Sequence, residues 1–251
     1  MARHAVIDAL TFDLDDTLWD NRPVMELAEQ GHYTWLDDAL AAWQGVQIEQ
    51  WGRYAERFPL SAYQDRRMAL AQQYPLRRGD FTWIRERALI EMMEEFGLPR
   101  SAAFLWAAAA MDRFMDLRHQ LQPYPQVGPL LDRLGEHYRL AAITNGNADV
   151  TRLPIARHFP VTIAAGELLA PKPDARPFLA ALARLGTPAS RAMHVGDSWQ
   201  EDVMPAQRLG MRVAWIDRHD DSGRSLPPGV YRLRHVSELP ALLQWLDSRL
   251  N

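Results

Sequence analysis

Residues 5–18, AVIDALTFDLDDTL, join a strand pattern to a cluster of carboxylates. Ala5 to Phe12 is apolar and rich in β-branched residues, which is typical of a buried strand. The run ends on Asp13, and Asp15 and Asp16 follow it. Because side chains two positions apart share one face of a strand, Asp13 and Asp15 can point into the same crevice. Open α/β sheets bind their ligands at this carboxyl edge.

Further short apolar runs alternate with helical patterns along the rest of the chain. The predicted strands are Leu140–Ile143, Val161–Ala165, Ala192–Val195 and Arg212–Ile216. The predicted helices are Val127–His137, Ala175–Leu185, Gln200–Leu209 and, near the end, Glu238–Leu250. This alternation predicts the α/β fold class, with a Rossmann-like parallel sheet covered by helices on both faces.

Residues 19–121 follow a different pattern, without a convincing strand. Apolar and aromatic residues recur there at helical spacing, and prolines and glycines divide the stretch into about four or five helices. The sequence therefore predicts two domains. An α/β core domain comprises residues 1–18 and 122–251, and an all-helical domain of residues 19–121 is inserted after its first strand.

The composition is that of a folded protein, with 47% hydrophobic and 24% charged residues in a chain of 251. The net charge is −4 and no basic run occurs, which argues against a nucleic-acid partner. The lack of cysteine excludes disulfides, thiolate metal sites and cysteine catalysis. No membrane or targeting segment is visible, so we expect a cytoplasmic protein without a membrane partner.

Among the 28 basic residues, Lys172 is the single lysine. Codon bias accounts for the excess of arginine, but it does not account for the position of the exception. An ammonium group is a compact charge that can lie between a carboxylate and a phosphate where a planar guanidinium would crowd the site. A solvated lysine in a loop is the structural alternative.

The carboxylates after the first strand suit covalent and acid–base chemistry. One of Asp13 and Asp15 can act as a nucleophile, and the other as a general acid and then a base. Two like charges this close favour a bound cation, and Mg²⁺ prefers oxygen ligands. An aspartate-rich turn or helix start is the structural alternative.

Polar residues also follow two other predicted strands. Thr144 and Asn145 combine a hydroxyl with backbone N–H groups that can hold phosphate oxygens, although the same residues are ordinary in turns. Asp197 can complete a Mg²⁺ site, and either Glu201 or Asp202 can support that site without binding the ion. These acids also suit the start of a helix.

The stretches FDLDDTL, ITNGN, PKPD and VGDSWQED occur in the order of the four motifs of the haloacid dehalogenase-like (HAD) superfamily of phosphohydrolases, which the sequence resembles. The helical insert resembles that superfamily's C1-type cap domain. The resemblance implies that Asp13 attacks the phosphoryl group and forms an aspartyl-phosphate. It implies that Asp15 protonates the leaving oxygen and then activates water, and that Thr144, Asn145 and Lys172 bind the phosphate.

The same resemblance implies a Mg²⁺ cofactor held by Asp13, the backbone carbonyl of Asp15, and Asp197, with Asp202 in the supporting position. The implied activity is hydrolysis of a small-molecule phosphate monoester. Family members that are 2-haloacid dehalogenases lack the second aspartate of the first motif, so Asp15 favours a phosphatase. A sugar phosphomutase and a catalytically silent binding protein are compatible with the same motifs, and the intact set of catalytic residues argues against the silent protein.

A narrower resemblance is carried by TFDLDDTLWDNRPV, AITNGNA and HVGDSWQEDV. It implies a bacterial branch that acts on flavin mononucleotide (FMN) and 5-amino-6-(5-phosphoribitylamino)uracil. Trp19 would then stack on an aromatic ring, and Asn21 and Arg22 would contact polar groups of the substrate. Packing at the junction of the domains is the structural alternative for these residues. We also expect His194 to be a hydrogen-bonded core histidine, and the protein to be a monomer or weak homodimer.

Overall fold

The computed structural model describes residues 7–43, 52–218 and 223–250, and the chain divides into two compact units. One unit comprises Met1–Asp20 and Gln122–Asn251, and the other comprises Asn21–Leu121. Trp19 and Asp20 therefore lie in the first unit, whereas the boundary drawn from the sequence assigns them to the insert. Ala5 and Val6, the start of the predicted first strand, lie outside the described residues.

Among its described residues, the unit Asn21–Leu121 contains helices and loops but no strand. The helices are α1 (Asn21–Ala42), α2 (Tyr54–Arg57), α3 (Leu60–Gln73), α4 (Phe81–Phe96) and α5 (Arg100–Arg118), with a 3₁₀ turn at Pro75–Arg77. Asp80 begins α4 by accepting a hydrogen bond from the backbone N–H of Trp83. Gly97 ends that helix in the left-handed region, at φ 119°. Apolar and aromatic side chains form one buried core in this unit.

The other unit is built on a six-stranded parallel sheet with the strand order β3-β2-β1-β4-β5-β6. The strands are β1 (Ala9–Phe12), β2 (Arg139–Thr144), β3 (Val161–Ala164), β4 (Ala192–Gly196), β5 (Arg212–Ile216) and β6 (Val230–Leu233). The helices are α6 (Val127–Gly135), α7 (Ala165–Leu168), α8 (Arg176–Leu185), α9 (Met204–Arg208) and α10 (Leu239–Leu250). Short 3₁₀ turns occur at Val150–Arg152, Ala156–His158, Ala189–Arg191 and Val236–Glu238. The predicted Rossmann-like α/β fold with a helical insert is confirmed.

The helix predicted over Gln200–Leu209 is present, but its first part is not a regular α-helix. A wide π-helical turn at Trp199–Val203 leads directly into α9, and the Ser198 carbonyl accepts hydrogen bonds from the N–H groups of both Asp202 and Val203. Pro205 has no N–H to donate to the carbonyl four residues earlier, so a regular helix through this point would lose a hydrogen bond.

The sheet brings the ends of β1 and β4 together. These strands are neighbours, although the helical unit and strands β2 and β3 separate them along the chain, and Thr11 pairs in register with His194. The backbone N–H of Asp13 donates to the Val195 carbonyl at 2.8 Å, which extends the pairing past the end of β1. Strand order reverses at this point, which is where open α/β sheets form their ligand crevice.

Within the described residues, no helix combines the length and apolarity that crossing a membrane requires.

Candidate active site

Three carboxylates and one ammonium group meet at this edge of the sheet. One oxygen from each of Asp13, Asp197 and Asp202 lies within 4.8 Å of the others. The Lys172 Nζ donates to Asp13 Oδ1 and to Asp202 Oδ1, each at 2.6 Å. Asp13, Lys172 and Asp202 are buried. The structure thus brings together four of the predicted site residues from distant parts of the chain.

The site holds more negative charge than its lysine balances. Burial raises the pKa of Asp13 well above its ordinary value, with Lys172 opposing this effect and the neighbouring Asp202 and Asp197 adding to it. Burial, together with the negative charges of Asp202 and Asp16, raises the pKa of Asp197 to about 7. Burial also disfavours the Asp202 anion, but Lys172 and His194 stabilise it so strongly that its pKa is lowered.

Both oxygens of Asp202 are engaged. Oδ1 accepts the Lys172 ammonium and lies 3.0 Å from His194 Nε2, and Oδ2 accepts the backbone N–H of Ser198 at 3.0 Å. Gly196 leaves the space that this side chain fills, because a Cβ at that position would lie 2.4 Å from the Asp202 Cγ. The Glu201 carboxylate instead accepts a hydrogen bond from Asn145 Nδ2 at 2.8 Å. Asp202, rather than Glu201, is therefore the acid that contacts the lysine.

Asn145 fixes the loop that carries Lys172. Its Oδ1 accepts the backbone N–H of Lys172 at 2.8 Å, and its Nδ2 donates to the Lys172 carbonyl at 3.0 Å. Thr144, the last residue of β2, is buried, and its Oγ1 accepts the backbone N–H of Gly146 at 2.9 Å. The sequence predicts that both residues bind phosphate. The side chain of Asn145 has a second role that the sequence does not indicate, which is to hold the backbone of Lys172.

Side chains of the loop that follows β1 form hydrogen bonds with one another. The Trp19 Nε1 donates to Asp15 Oδ1 at 2.8 Å, and the Thr17 Oγ1 donates to Asp13 Oδ2 at 3.2 Å. Trp19 is only 1% exposed, so its indole orients a carboxyl group in this structure. Stacking of Trp19 on a substrate stays a prediction.

Arg22 lies near the start of α1, in the helical unit. Its Nε is 3.4 Å from Glu26 Oε1, and its side chain is 84% exposed. Substrate contact by Arg22 and Asn21 stays a prediction.

Four residues that hold the site side chains in place were not identified from the sequence, and only a core position was predicted for His194. The four residues are Thr11, Thr17, Gly196 and Ser198. One signal was available. Thr11 lies two residues before Asp13, and His194 lies two residues before Gly196, so each pair shares a face of its strand. The pairing between those strands, which creates the contacts, is not visible in either stretch.

Known proteins share this architecture. The model of the haloacid dehalogenase-like hydrolase family matches residues 7–210. YigB of Escherichia coli (strain K12), a 5-amino-6-(5-phospho-D-ribitylamino)uracil phosphatase, is 33% identical over 210 residues, covering 84% of this chain and 83% of YigB. A glyceraldehyde 3-phosphate phosphatase from Methanopyrus kandleri is 28% identical over 233 residues, covering 85% of each chain. A crystal structure of a 2-haloacid dehalogenase from Pseudomonas syringae pv. Tomato DC3000 has a TM-score of 0.81 and 34% identity, covering 95% of this chain and 99% of that chain.

These likenesses agree with the fold and with the residues at the sheet edge. The family model spans most of the chain and includes β1 to β4, whose ends carry the carboxylates and lead to the lysine. The chain therefore belongs to the haloacid dehalogenase-like hydrolase family.

Proposed function

We propose that this enzyme is a Mg²⁺-dependent phosphatase that hydrolyses a small-molecule phosphate monoester through an aspartyl-phosphate on Asp13. The observation that carries the proposal is the buried contact of Lys172 Nζ with Asp13 Oδ1 at 2.6 Å. A second carboxyl group, that of Asp15, follows Asp13 two residues later. A nucleophile, a neighbouring cation and a separate acid are the groups that phosphoryl transfer through an enzyme carboxylate requires.

The donor set fits Mg²⁺. The clustered groups are carboxylate oxygens, which this hard cation prefers, and a single ammonium lies among three of them. By the resemblance to the family, Asp13, Asp197 and the backbone carbonyl of Asp15 would hold the ion. Asp202 would instead hold the lysine, since its oxygens contact Lys172, His194 and the Ser198 N–H. When bound, Mg²⁺ supplies positive charge that stabilises the phosphoryl oxygens in the transition state.

The residues of the chain divide the reaction into two steps. In the first step, a carboxylate oxygen of Asp13 bonds to phosphorus, the bond from phosphorus to the ester oxygen breaks, and Asp15 gives that oxygen a proton. In the second step, Asp15 takes a proton from water, the water oxygen bonds to phosphorus, and the bond to Asp13 breaks. Lys172, the Thr144 hydroxyl and the backbone N–H of Asn145 hold the phosphoryl oxygens throughout.

For the substrate we propose FMN or 5-amino-6-(5-phosphoribitylamino)uracil, with the helical unit acting as a cap domain. The similarity to YigB over most of both chains supports this choice. A panel of metabolite phosphates that contains both compounds and several sugar phosphates, ranked by kcat/KM, tests it. A sugar phosphate converted to its isomer rather than hydrolysed would instead indicate a phosphomutase.

The reaction itself is tested with p-nitrophenyl phosphate. We expect Mg²⁺-dependent hydrolysis that stops with a chelator and with Asp13→Asn, whereas Asp132→Asn, an exposed aspartate in α6, serves as the matched control and keeps full activity. Undiminished activity of Asp13→Asn would disprove the covalent mechanism.

The likeness to a 2-haloacid dehalogenase provides the second candidate, and chloride release from 2-chloropropionate without added metal would establish it. Measurable Mg²⁺ binding without any turnover would indicate a binding protein.

A further inference from the structure

A network of buried hydrogen bonds connects Thr11 in β1 with Asp13. It passes through His194, Asp202 and Lys172. Thr11 Oγ1 lies 2.8 Å from His194 Nδ1, and His194 Nε2 lies 3.0 Å from Asp202 Oδ1. The same Asp202 oxygen accepts Lys172 Nζ at 2.6 Å, and Lys172 Nζ also donates to Asp13 Oδ1. All five residues are buried.

The donors and acceptors of this chain follow from its geometry. An ionised Asp202 only accepts hydrogen bonds, so the neighbouring His194 Nε2 carries a proton and donates it. Burial lowers the pKa of His194, which keeps the ring neutral. The Nδ1 of a neutral ring then has a lone pair that accepts the Thr11 hydroxyl. Each polar atom of the ring is therefore satisfied in one tautomer.

The sheet holds the imidazole in place. Thr11 and His194 are register partners on neighbouring strands, so their contact is fixed by the pairing of β1 with β4. The ring of Phe178 packs edge-on against the imidazole, with the ring centres 5.0 Å apart. Gly196, two residues further along β4, admits the Asp202 side chain. The ring thus presents Nε2–H in one direction only.

We propose that His194 is a positioning residue, which fixes the Asp202 carboxylate and thereby aims the Lys172 ammonium at Asp13. His194 holds Oδ1 while the Ser198 N–H holds Oδ2, so the carboxylate has one rotation and offers Lys172 one oxygen. Without the imidazole, the carboxylate can turn and the ammonium loses its fixed direction. The inference rests on the proposed function, because Lys172 acts on a phosphate only if Asp13 is the nucleophile.

The chain has a single lysine, which gives a readout that does not depend on turnover. Protein labelled with [ζ-15N]lysine has one ammonium signal in NMR, that of Lys172. In the wild-type protein we expect a sharp signal that is protected from exchange with water. In His194→Leu we expect it to shift and broaden, and in His194→Gln, whose amide can still donate to Asp202, we expect it to stay close to that of the wild type.

Turnover of p-nitrophenyl phosphate provides the second readout. We expect kcat to fall about 10- to 100-fold in His194→Leu with little change in KM, and substantial recovery in His194→Gln. Thr11→Val removes only the hydroxyl that holds the imidazole through Nδ1 and is expected to lie between them. Thr187→Val, which alters another buried threonine of the same unit, is the matched control and should match the wild type.

The two readouts separate the two hypotheses. If the wild-type protein has no phosphatase activity, the proposed function fails, while the lysine signal still shows whether His194 positions Lys172. An unchanged lysine signal and an unchanged kcat in His194→Leu would overturn the positioning role. If that variant does not fold, the same two measurements on Thr11→Val decide the question, with wild-type values for both again overturning the role.

Discussion

The two units of the chain both bury charged side chains, but the excess charge has opposite signs. At the edge of the sheet, Lys172 lies between the carboxylates of Asp13 and Asp202, and Asp197 is close by. The excess there is negative.

In the helical unit, a single oxygen of Glu29 accepts hydrogen bonds from Arg67 Nη1 at 2.6 Å and Arg85 Nη2 at 2.9 Å. These residues come from α1, α3 and α4, so the cluster connects three helices. Its two guanidinium groups outnumber its one carboxylate, so the excess charge there is positive. The guanidinium carbon of Arg85 also lies 4.7 Å from the centre of the Phe114 ring.

The difference separates the cluster for which we propose a chemical role from one that connects helices. Uncompensated carboxylates at a sheet edge favour a cation and phosphoryl transfer, and they cost stability because burial disfavours their charge. The helical cluster faces aromatic side chains and connects helices within one core. Changes at the sheet edge should therefore reduce turnover more than stability, and changes in the helical cluster should do the reverse.

The largest effect is expected from Lys172→Arg. The positive charge is kept, but a planar guanidinium cannot occupy the compact position between Asp13 and Asp202. We expect kcat on p-nitrophenyl phosphate to fall by about 10²- to 10³-fold, while the melting temperature changes by only a few degrees. Turnover near the wild-type rate would show that a compact charge is not needed there.

Glu29→Gln should have the opposite profile. It leaves two buried or half-buried guanidinium groups without their carboxylate, so we expect a loss of about 2–3 kcal/mol in the free energy of unfolding. The kcat measured well below the melting temperature should stay within about twofold of the wild type, because the fold is intact. Glu26→Gln, an exposed change on the same helix, is the matched control. A lost kcat with wild-type stability would reverse the assignment of the two clusters.

The Glu29 cluster also makes stability depend on pH. Burial acts to raise the pKa of this carboxyl, but Arg67 and Arg85 outweigh it, so the pKa falls below its ordinary value of 4.5. The unfolded chain therefore binds the Glu29 proton more tightly than the folded chain does. The stabilisation is complete at pH values above the ordinary pKa of 4.5, and it is lost as the pH falls through the lower pKa of the folded state. Urea unfolding should show the gap between wild type and Glu29→Gln to be full near about pH 6 and smaller at lower pH. A gap that does not change with pH would contradict this linkage.

Gly196→Ala tests the packing of Asp202 with a smaller change. The added methyl carbon would lie 2.4 Å from the Asp202 Cγ, so the carboxylate must move away from Lys172. We expect kcat to fall about tenfold or more. Gly128→Ala, where a Cβ meets no atom within 4 Å, is the control and should keep full activity. Equal rates for the two variants would mean that the position of Asp202 does not matter.

The smallest effect is expected from Arg22→Gln. The side chain is 84% exposed and forms an ion pair of 3.4 Å with Glu26. Exposed pairs contribute little, so the free energy of unfolding should change by less than about 0.5 kcal/mol. Urea unfolding measures this, and KM for FMN measured on the same sample tests the predicted substrate contact. A larger loss of stability would show that this end of α1 is structurally important.

The sheet could be predicted because its central strands are buried runs that end on polar residues. The strand Arg212–Ile216 was found with its observed bounds. Strand β6 was missed because it is a short edge strand, and its two middle residues, Tyr231 and Arg232, are only partly buried. Edge strands of this kind carry little apolar signal.

The candidate site was predictable only as far as local motifs extend. Asp13, Lys172 and Asp202 were found because each lies in a recognisable stretch. The contact of Thr11 with His194 was not, because it depends on which strands pair, and the two residues are 183 positions apart. The contact of Trp19 with Asp15 depends on a side-chain rotamer within a tight loop, which sequence patterns do not specify.

The distance along the chain between Asp13 and its lysine has a consequence for synthesis. The two residues are 159 positions apart, and the whole helical unit is translated between them. Domains generally begin to fold from the N-terminus as the ribosome releases them. A nascent chain therefore carries Asp13, the proposed nucleophile, early but still lacks Lys172 and β4, which contact it. Translation past β4 and Asp202 supplies both, so the helical unit can fold before the enzyme can act.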